Sequence, residues 1–165
     1  MRIDAKKNSR QYPCLMFTPI RCHKGGSVGS YPPCFYFLME RNAMNSQELL
    51  ELSQKWEKLY NEDAVKMALE CYSKDCEVHP MGSGKIRGNK KLAEIEKVIL
   101  DAAPQRKMRV ERRHVCESTI VVEAVLLDPE KGPDWNVPFT AILTCENGRV
   151  VTDRTYADWN DWPGL

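Results

Sequence analysis

The sequence has no apolar run long enough to cross a membrane. The longest, Thr119 to Leu127, is interrupted by Glu123, and a spanning helix needs roughly 18–20 consecutive apolar residues. Its seven cysteines (14, 22, 34, 71, 76, 116 and 145) are odd in number and form no CxxC pair. That excludes a zinc ribbon and a fully paired disulfide framework, and reads as reduced thiols in a cytoplasmic compartment. GxGxxG, HExxH and GxSxG are missing, and Gly82-Ser83-Gly84-Lys85 is too short to cradle a phosphate and fits a turn. Repeats and low-complexity tracts are missing as well. What is there is ordinary for one globular core: 165 residues, 42% hydrophobic, with 9 Gly.

The formal charge of +1 hides an asymmetry. Residues 1–43 hold seven Lys and Arg against two acids, and 44–165 hold seventeen against twenty-one. A mildly acidic folded part argues against nucleic acid as a partner. Residues 1–43 carry the breakers Tyr12-Pro13, Lys24-Gly25-Gly26 and Tyr31-Pro32-Pro33 without a sustained period. They are expected to be a disordered or poorly structured extension, with no convincing secretory or organellar signal. Met44 stands just before a well-formed helix start, as an upstream extension of a gene model or a tail would leave it.

Residues 44–165 carry the domain. Asn45 and Glu48 stand at capping-box spacing before Leu49, Leu52, Trp56, Leu59 and Tyr60 on one helical face. Asn61-Glu62-Asp63 breaks that helix and caps a second, lined by Ala64, Met67, Ala68 and Cys71. Cys76 to Pro80 reads as a short extended segment. A third helix is expected from Asn89, its side chain as cap, with Leu92, Ile95, Ile99 and Ala102 inward until Pro104. The period then switches to two over 106–117, 118–128, 137–145 and 149–159, with Asn147-Gly148 as a hairpin turn. Helices followed by an antiparallel meander predict an α+β fold. Both alternate sets of 119–127 are mostly apolar, so the outer sheet face is expected to meet a second copy in a homodimer.

Three pieces together resemble the nuclear transport factor 2-like superfamily, and within it the SnoaL-like polyketide cyclase and ketosteroid isomerase-like group. They are Trp56-x3-Tyr60-Asn61-x-Asp63, the stretch Tyr72 to Pro80 followed by Gly88, and Asn147-Gly148-Arg149-Val150-Val151-x-Asp153-Arg154-x-Tyr156-x-Asp158. The resemblance implies a cone: a curved antiparallel sheet wrapped around three N-terminal helices, with an internal apolar pocket for a hydrophobic small molecule. It implies cofactor-independent acid/base chemistry of isomerase, cyclase or dehydratase type on a ketone-bearing or polycyclic substrate, with no metal. The alternative is a non-catalytic ligand-binding or protein-interaction module of the same fold.

Carried over residue by residue, the resemblance puts His79 where isomerase-like members have an acidic base before proline, and imidazole is competent there. The water-activating set of the epoxide hydrolase members falls on Thr155 and near Glu123 and Val125, so that set is broken and epoxide hydrolysis disfavoured. Glu123 and Asp153 are the candidate second acid/base, unless Arg112, Arg113 or Arg154 neutralises them as cross-strand pairs. Tyr60 is the candidate oxyanion donor. Trp56 and Tyr72, with Tyr60, either pack the core or line the pocket, to which Val125 and Thr155 are also assigned.

Overall fold

A computed structural model of the chain describes residues 44–163. Residues 1–43, expected from the sequence to be a disordered or poorly structured extension, lie outside the described residues. The element order is α1 (Ser46–Glu62), α2 (Ala64–Cys71), β1 (Tyr72–Pro80), β2 (Ile86–Arg87), α3 (Asn89–Ala102), β3 (Lys107–Cys116), β4 (Thr119–Leu127), a 3-10 turn (Pro129–Lys131), β5 (Asn136–Glu146) and β6 (Arg149–Ala157). The fold is α+β, three helices against one six-stranded sheet.

Local chemistry sets the helix ends. The Asn45 side chain accepts from the Gln47 and Glu48 amides at 2.9 and 3.0 Å, and the Glu48 carboxylate accepts from the Asn45 amide at 2.8 Å, which satisfies amides that lack helical partners. Asp63 ends α1 and caps α2 through the Lys66 amide at 2.9 Å. The Asn61 amide pins the end of α1 to β3, donating to the Met108 carbonyl at 2.8 Å and accepting from its N–H at 2.7 Å.

Asn89 is not the cap of α3. The N-cap is Gly88, with φ +83°, and Asn89 lies inside the helix, buried, its amide nitrogen 3.4 Å from the carbonyls of Leu69 and Tyr72. A side chain on Gly88 would meet the Lys74 carbonyl oxygen at 3.1 Å, in a left-handed conformation L residues disfavour. Gly88→Ala is therefore expected to lower stability by about 1–2 kcal/mol, read as an earlier urea midpoint with unchanged slope.

The sheet order is β2-β1-β6-β5-β4-β3. The meander β3 to β6 is antiparallel, with positive φ at both Asn147 and Gly148 in its last turn. The sheet as a whole is mixed, because β1 returns to the free edge of the meander and pairs in parallel with β6. β1 is also longer than Cys76 to Pro80, starting at Tyr72.

Two bulges decide which side chains face the helices. Between β5 and β6 the register runs Thr144 to Thr152 and then Cys145 to Val150, leaving Val151 as the extra residue. One extra residue reverses the alternation, so Val150 points inward on one side of it and Asp153 and Thr155 on the other. Asp153 lies between buried Leu143 and Val78 of the neighbouring strands. Glu111 plays the same part in β3. On β4 the inward set is Ile120, Val122, Ala124 and Leu126, all buried, and Val121, Glu123, Val125 and Leu127 form the outer set.

Candidate functional site

Between the helices and the inner face of the sheet lies a cavity of about 290 Å³. Its apolar wall comes from Leu92, Ile95 and Ile99 of α3, Phe139 of β5, and Trp159 and Trp162 of the C-terminal segment. Phe139 and Trp162 meet nearly edge to face, centroids 5.3 Å apart, and the Trp159 ring N–H donates to the Met81 carbonyl at 2.7 Å, fixing the C-terminal turn over the β1–β2 connection. The exposed loop Ser83, Gly84 and Lys85 borders it.

Two polar clusters interrupt this wall. On the sheet side the Asp153 carboxylate is buried and accepts from the Tyr72 hydroxyl and the Thr155 hydroxyl, each at 2.7 Å and each at a different oxygen. The Trp56 ring N–H in turn donates to the Tyr72 oxygen at 3.0 Å. Burial raises the Asp153 pKa above the carboxylate value, opposed by the two hydroxyl donors and by His79 at longer range. Burial also raises the Tyr72 phenol, reinforced by the Asp153 charge, so the proton between them stays on the phenol. A desolvated carboxylate with one protein donor per oxygen keeps lone pairs for a ligand proton and a raised affinity for it.

On the helix side, Tyr60 of α1 and Glu96 of α3 share one guanidinium. Arg106 donates from Nε to the Tyr60 oxygen and from Nη2 to Glu96 Oε2, both at 3.0 Å. Burial lifts Glu96 to about 7 against the pull of Arg106. It also raises the Tyr60 phenol, further raised by Glu96 and lowered by Arg106. No acceptor among the described residues takes the Tyr60 hydroxyl hydrogen.

Of the residues expected from sequence, the cavity brings together Trp56, Tyr60, Tyr72, Asp153 and Thr155. It does not include His79, Glu123 or Val125. His79 alternates with Val78 and Pro80, which line the cavity, and its Nε2 lies 3.3 Å from Glu77 Oε2, in a cluster where Lys85 and Arg87 also approach that carboxylate. Glu123 sits in the outer row with Arg112 and His114, each 3.5 Å away. That is the cross-strand pairing weighed against a catalytic role for it, whereas Asp153 has hydroxyl partners instead. Val125 belongs to the same outer row, one step from an alternation that points Ala124 and Leu126 inward.

Glu96 and Arg106 are the polar groups sequence reasoning missed. The signal was present: Glu96 follows Leu92 by four and precedes Ile99 by three, a charge on the inward stripe of an amphipathic helix. Among the described residues no group of three or more His, Cys, Asp or Glu side chains is placed to hold a metal ion. No helix among them is long and apolar enough to cross a membrane.

A buried acid at the wall of an apolar cavity between three helices and a sheet is the setting in which the comparisons fall. Residues 54–152 match the model of the SnoaL-like domain family. The chain belongs to that family. Among solved structures, a protein from Jannaschia sp. CCS1 described as a SnoaL-like polyketide cyclase is 17% identical, with TM-score 0.60, covering 68% of this chain and 86% of that one. A Mycobacterium tuberculosis LEH-like epoxide hydrolase is 15% identical, with TM-score 0.56, covering 70% and 86%. A protein from Kribbella flavida described as a ketosteroid isomerase is 15% identical, with TM-score 0.57, covering 67% and 78%. At these identities the likeness is one of fold. No curated protein matches the chain by sequence.

Proposed function

We propose that this SnoaL-like domain is an acid/base enzyme for a small, mostly apolar carbonyl compound, with Asp153 in the role first assigned to His79. The observation that carries the reading is the Asp153 carboxylate: buried, raised by desolvation, uncompensated by any Arg or Lys contact among the described residues, and facing an apolar cavity. Such a group removes a proton next to a carbonyl, and Tyr60, its oxygen held by Arg106 and its hydrogen free, donates to the enolate oxygen that develops. The cavity, at the lower end of the ~300–1,000 Å³ typical of ligand sites, suits a one- or two-ring molecule. The polyketide cyclase and ketosteroid isomerase descriptions of structural neighbours agree with carbonyl chemistry.

The test is hydrogen–deuterium exchange at the α-carbon of 4-phenylbutan-2-one in deuterium oxide, followed by proton NMR. The protein is expected to accelerate exchange over buffer, and Tyr60→Phe to slow it about 100-fold or more, the usual cost of losing one oxyanion donor. His79→Ala is expected to stay near the wild-type rate. Exchange no faster than in buffer contradicts the reading, and binding without exchange favours the non-catalytic module.

A homodimer through the outer sheet face is part of the proposal. Val121, Val125, Leu127 and Ile142 lie there half-buried, with the exposed ring of Tyr156. Sedimentation is expected to give twice the monomer mass, and Val125→Lys to give the monomer. Free thiols at Cys71, Cys76, Cys116 and Cys145 support a reducing, cytoplasmic location.

A further inference from the structure

The mouth of the cavity and its interior carry opposite charge. The carboxyls on the interior wall are those of Asp153 and Glu96. Arg106, the one basic residue buried among the described residues, is not part of the lining, and its Nε and Nη2 are taken by Tyr60 and Glu96. The one basic residue of the lining is Lys85, at the exposed border just before β2. It stands in a cluster of three basic side chains around a single carboxylate. Arg87 Nη2 lies 3.2 Å from Glu77 Oε1, and His79 Nε2 and Lys85 Nζ lie 3.3 and 3.7 Å from Oε2. Contact with His79, then the charges of Lys85 and Arg87, hold Glu77 below the ordinary carboxylate range, so it is ionised at neutral pH. Two permanent cations on one carboxylate leave a single positive charge over. Lys85 is the one to offer it, because its ammonium is the furthest of the three, beyond hydrogen-bond distance and on a flexible stem.

We propose that the substrate carries a carboxylate at the end remote from its reacting carbonyl, and that Lys85 reads this carboxylate at the cavity mouth. The inference rests on the reading of Asp153 as base and Tyr60 as oxyanion donor, and extends it to which end of the substrate enters first. An anionic group taken inward would lose its water against an apolar wall and face two acidic side chains. At the border it keeps water on one side and meets the ammonium on the other. The carbonyl end is then the end that reaches Asp153 and Tyr60. A carboxylate, with one charge, matches the single excess charge of the rim, whereas a phosphate monoester carries about −1.5 to −2.

The size of the effect follows from where the pair sits. The Lys85 side chain is 56% exposed, so its pairing with a ligand carboxylate is worth a few-fold in affinity and is screened by salt. Lys85 takes no part in the bond changes at the α-carbon and is a specificity-determining residue. It holds the carboxylate equally before and in the transition state, so the gain falls on KM and not on kcat. A lysine that only shaped the loop would affect neutral and anionic ketones alike.

The experiment uses the full chain and α-proton exchange in deuterium oxide, each rate taken relative to buffer. Three ketones are compared: neutral 4-phenylbutan-2-one, 4-(3-oxobutyl)benzoate and its longer homologue 4-(3-oxobutyl)phenylacetate. At about 10 mM salt the wild type is expected to favour the better anion over the neutral ketone at least about 3-fold in kcat/KM, through KM, and to lose that preference at about 1 M. In Lys85→Glu the ratio of anionic to neutral ketone is expected to invert, a swing of about 10-fold, and in Lys85→Gln to approach one. Exchange of the neutral ketone with neither anion preferred, or a preference that survives in Lys85→Glu, overturns the inference while leaving Asp153 as base. Exchange of none of the three by the wild type overturns the underlying reading with it. Should the variants misfold, the wild type decides: a preference for the anion that fades with salt supports the inference, and one indifferent to salt refutes it.

Discussion

Asp153→Asn is expected to reduce α-proton exchange at least 100-fold, in the ~10²–10⁴ range that a positioned general base contributes, while leaving the fold intact or more stable at neutral pH. The two halves of that result have one cause. The carboxylate is ionised at a cost, because burial raises its proton affinity. An amide of the same shape removes the buried charge and with it the cost. Its oxygen accepts from one of the two hydroxyls, and the other hydroxyl turns to accept from its NH₂, so Tyr72 and Thr155 keep partners. An amide takes no proton from carbon, and turnover is lost. Asp153→Ala behaves differently, since it leaves two hydroxyls short of an acceptor, at about 1–3 kcal/mol for each one that stays buried and unpaired. Thermal melts beside exchange rates separate the cases: an inactive Asn variant with an undiminished midpoint is the signature of a residue kept for chemistry at the expense of stability.

The second large effect is on stability against pH. Glu96 has a folded-state pKa of about 7 against an ordinary value of 4.5. Between those values the folded protein binds more protons at this group than the unfolded chain does, so its contribution to stability is complete below about 4.5 and is lost as pH rises through 7. At ~1.4 kcal/mol per pH unit the full window amounts to roughly 3 kcal/mol. Asp153, also raised, acts with the same sign, while Glu70 and Glu77, lowered by their basic neighbours on the surface, act with the opposite sign. The readout is therefore the difference between wild type and Glu96→Gln in urea unfolding at a series of pH values. The wild-type curve is expected to fall more steeply from pH 4.5 to 7, and parallel curves would mean that Glu96 titrates as an ordinary surface carboxyl. Arg106→Met sharpens the effect, since a carboxylate left in the same place without its guanidinium is destabilising most where it is ionised.

Much of this architecture is legible in the chain because it is written at short range. The spacing of Leu49, Leu52, Trp56 and Leu59, the Asn45–Glu48 cap, Asp63 between two helices and the Asn147-Gly148 turn each depend on neighbours within one helical turn or one hairpin. The site depends on longer relations. Asp153 and Thr155 share a face on any reading of β6, but that they face inward is settled by the bulge at Val151 and by the strands on either side. Glu123 looks equally placed in the sequence, an acid in an apolar strand, and lies on the opposite surface because the buried set of β4 is the even one. His79 precedes a proline that does line the cavity, and alternation alone turns its ring to Glu77. The parallel pairing of β1 with β6 joins segments some seventy residues apart, and no local pattern announces it. Glu96 is the instructive omission. A charge on the stripe of Leu92 and Ile99 is costly unless something answers it, and the answer, Arg106, stands ten residues on, past Pro104. A buried charge on an apolar stripe is a reason to look for its partner.

Asp153 is a carboxyl of raised proton affinity on the wall of the apolar cavity. A carbon-13 NMR titration of its side-chain carboxyl, assigned by comparison with Asp153→Asn, measures this directly. The expected result is a midpoint above the ordinary value of 3.8, and a resonance that shifts when 4-phenylbutan-2-one is added. A midpoint at or below 3.8, with no response to the ketone, would contradict Asp153 as the base of this cavity.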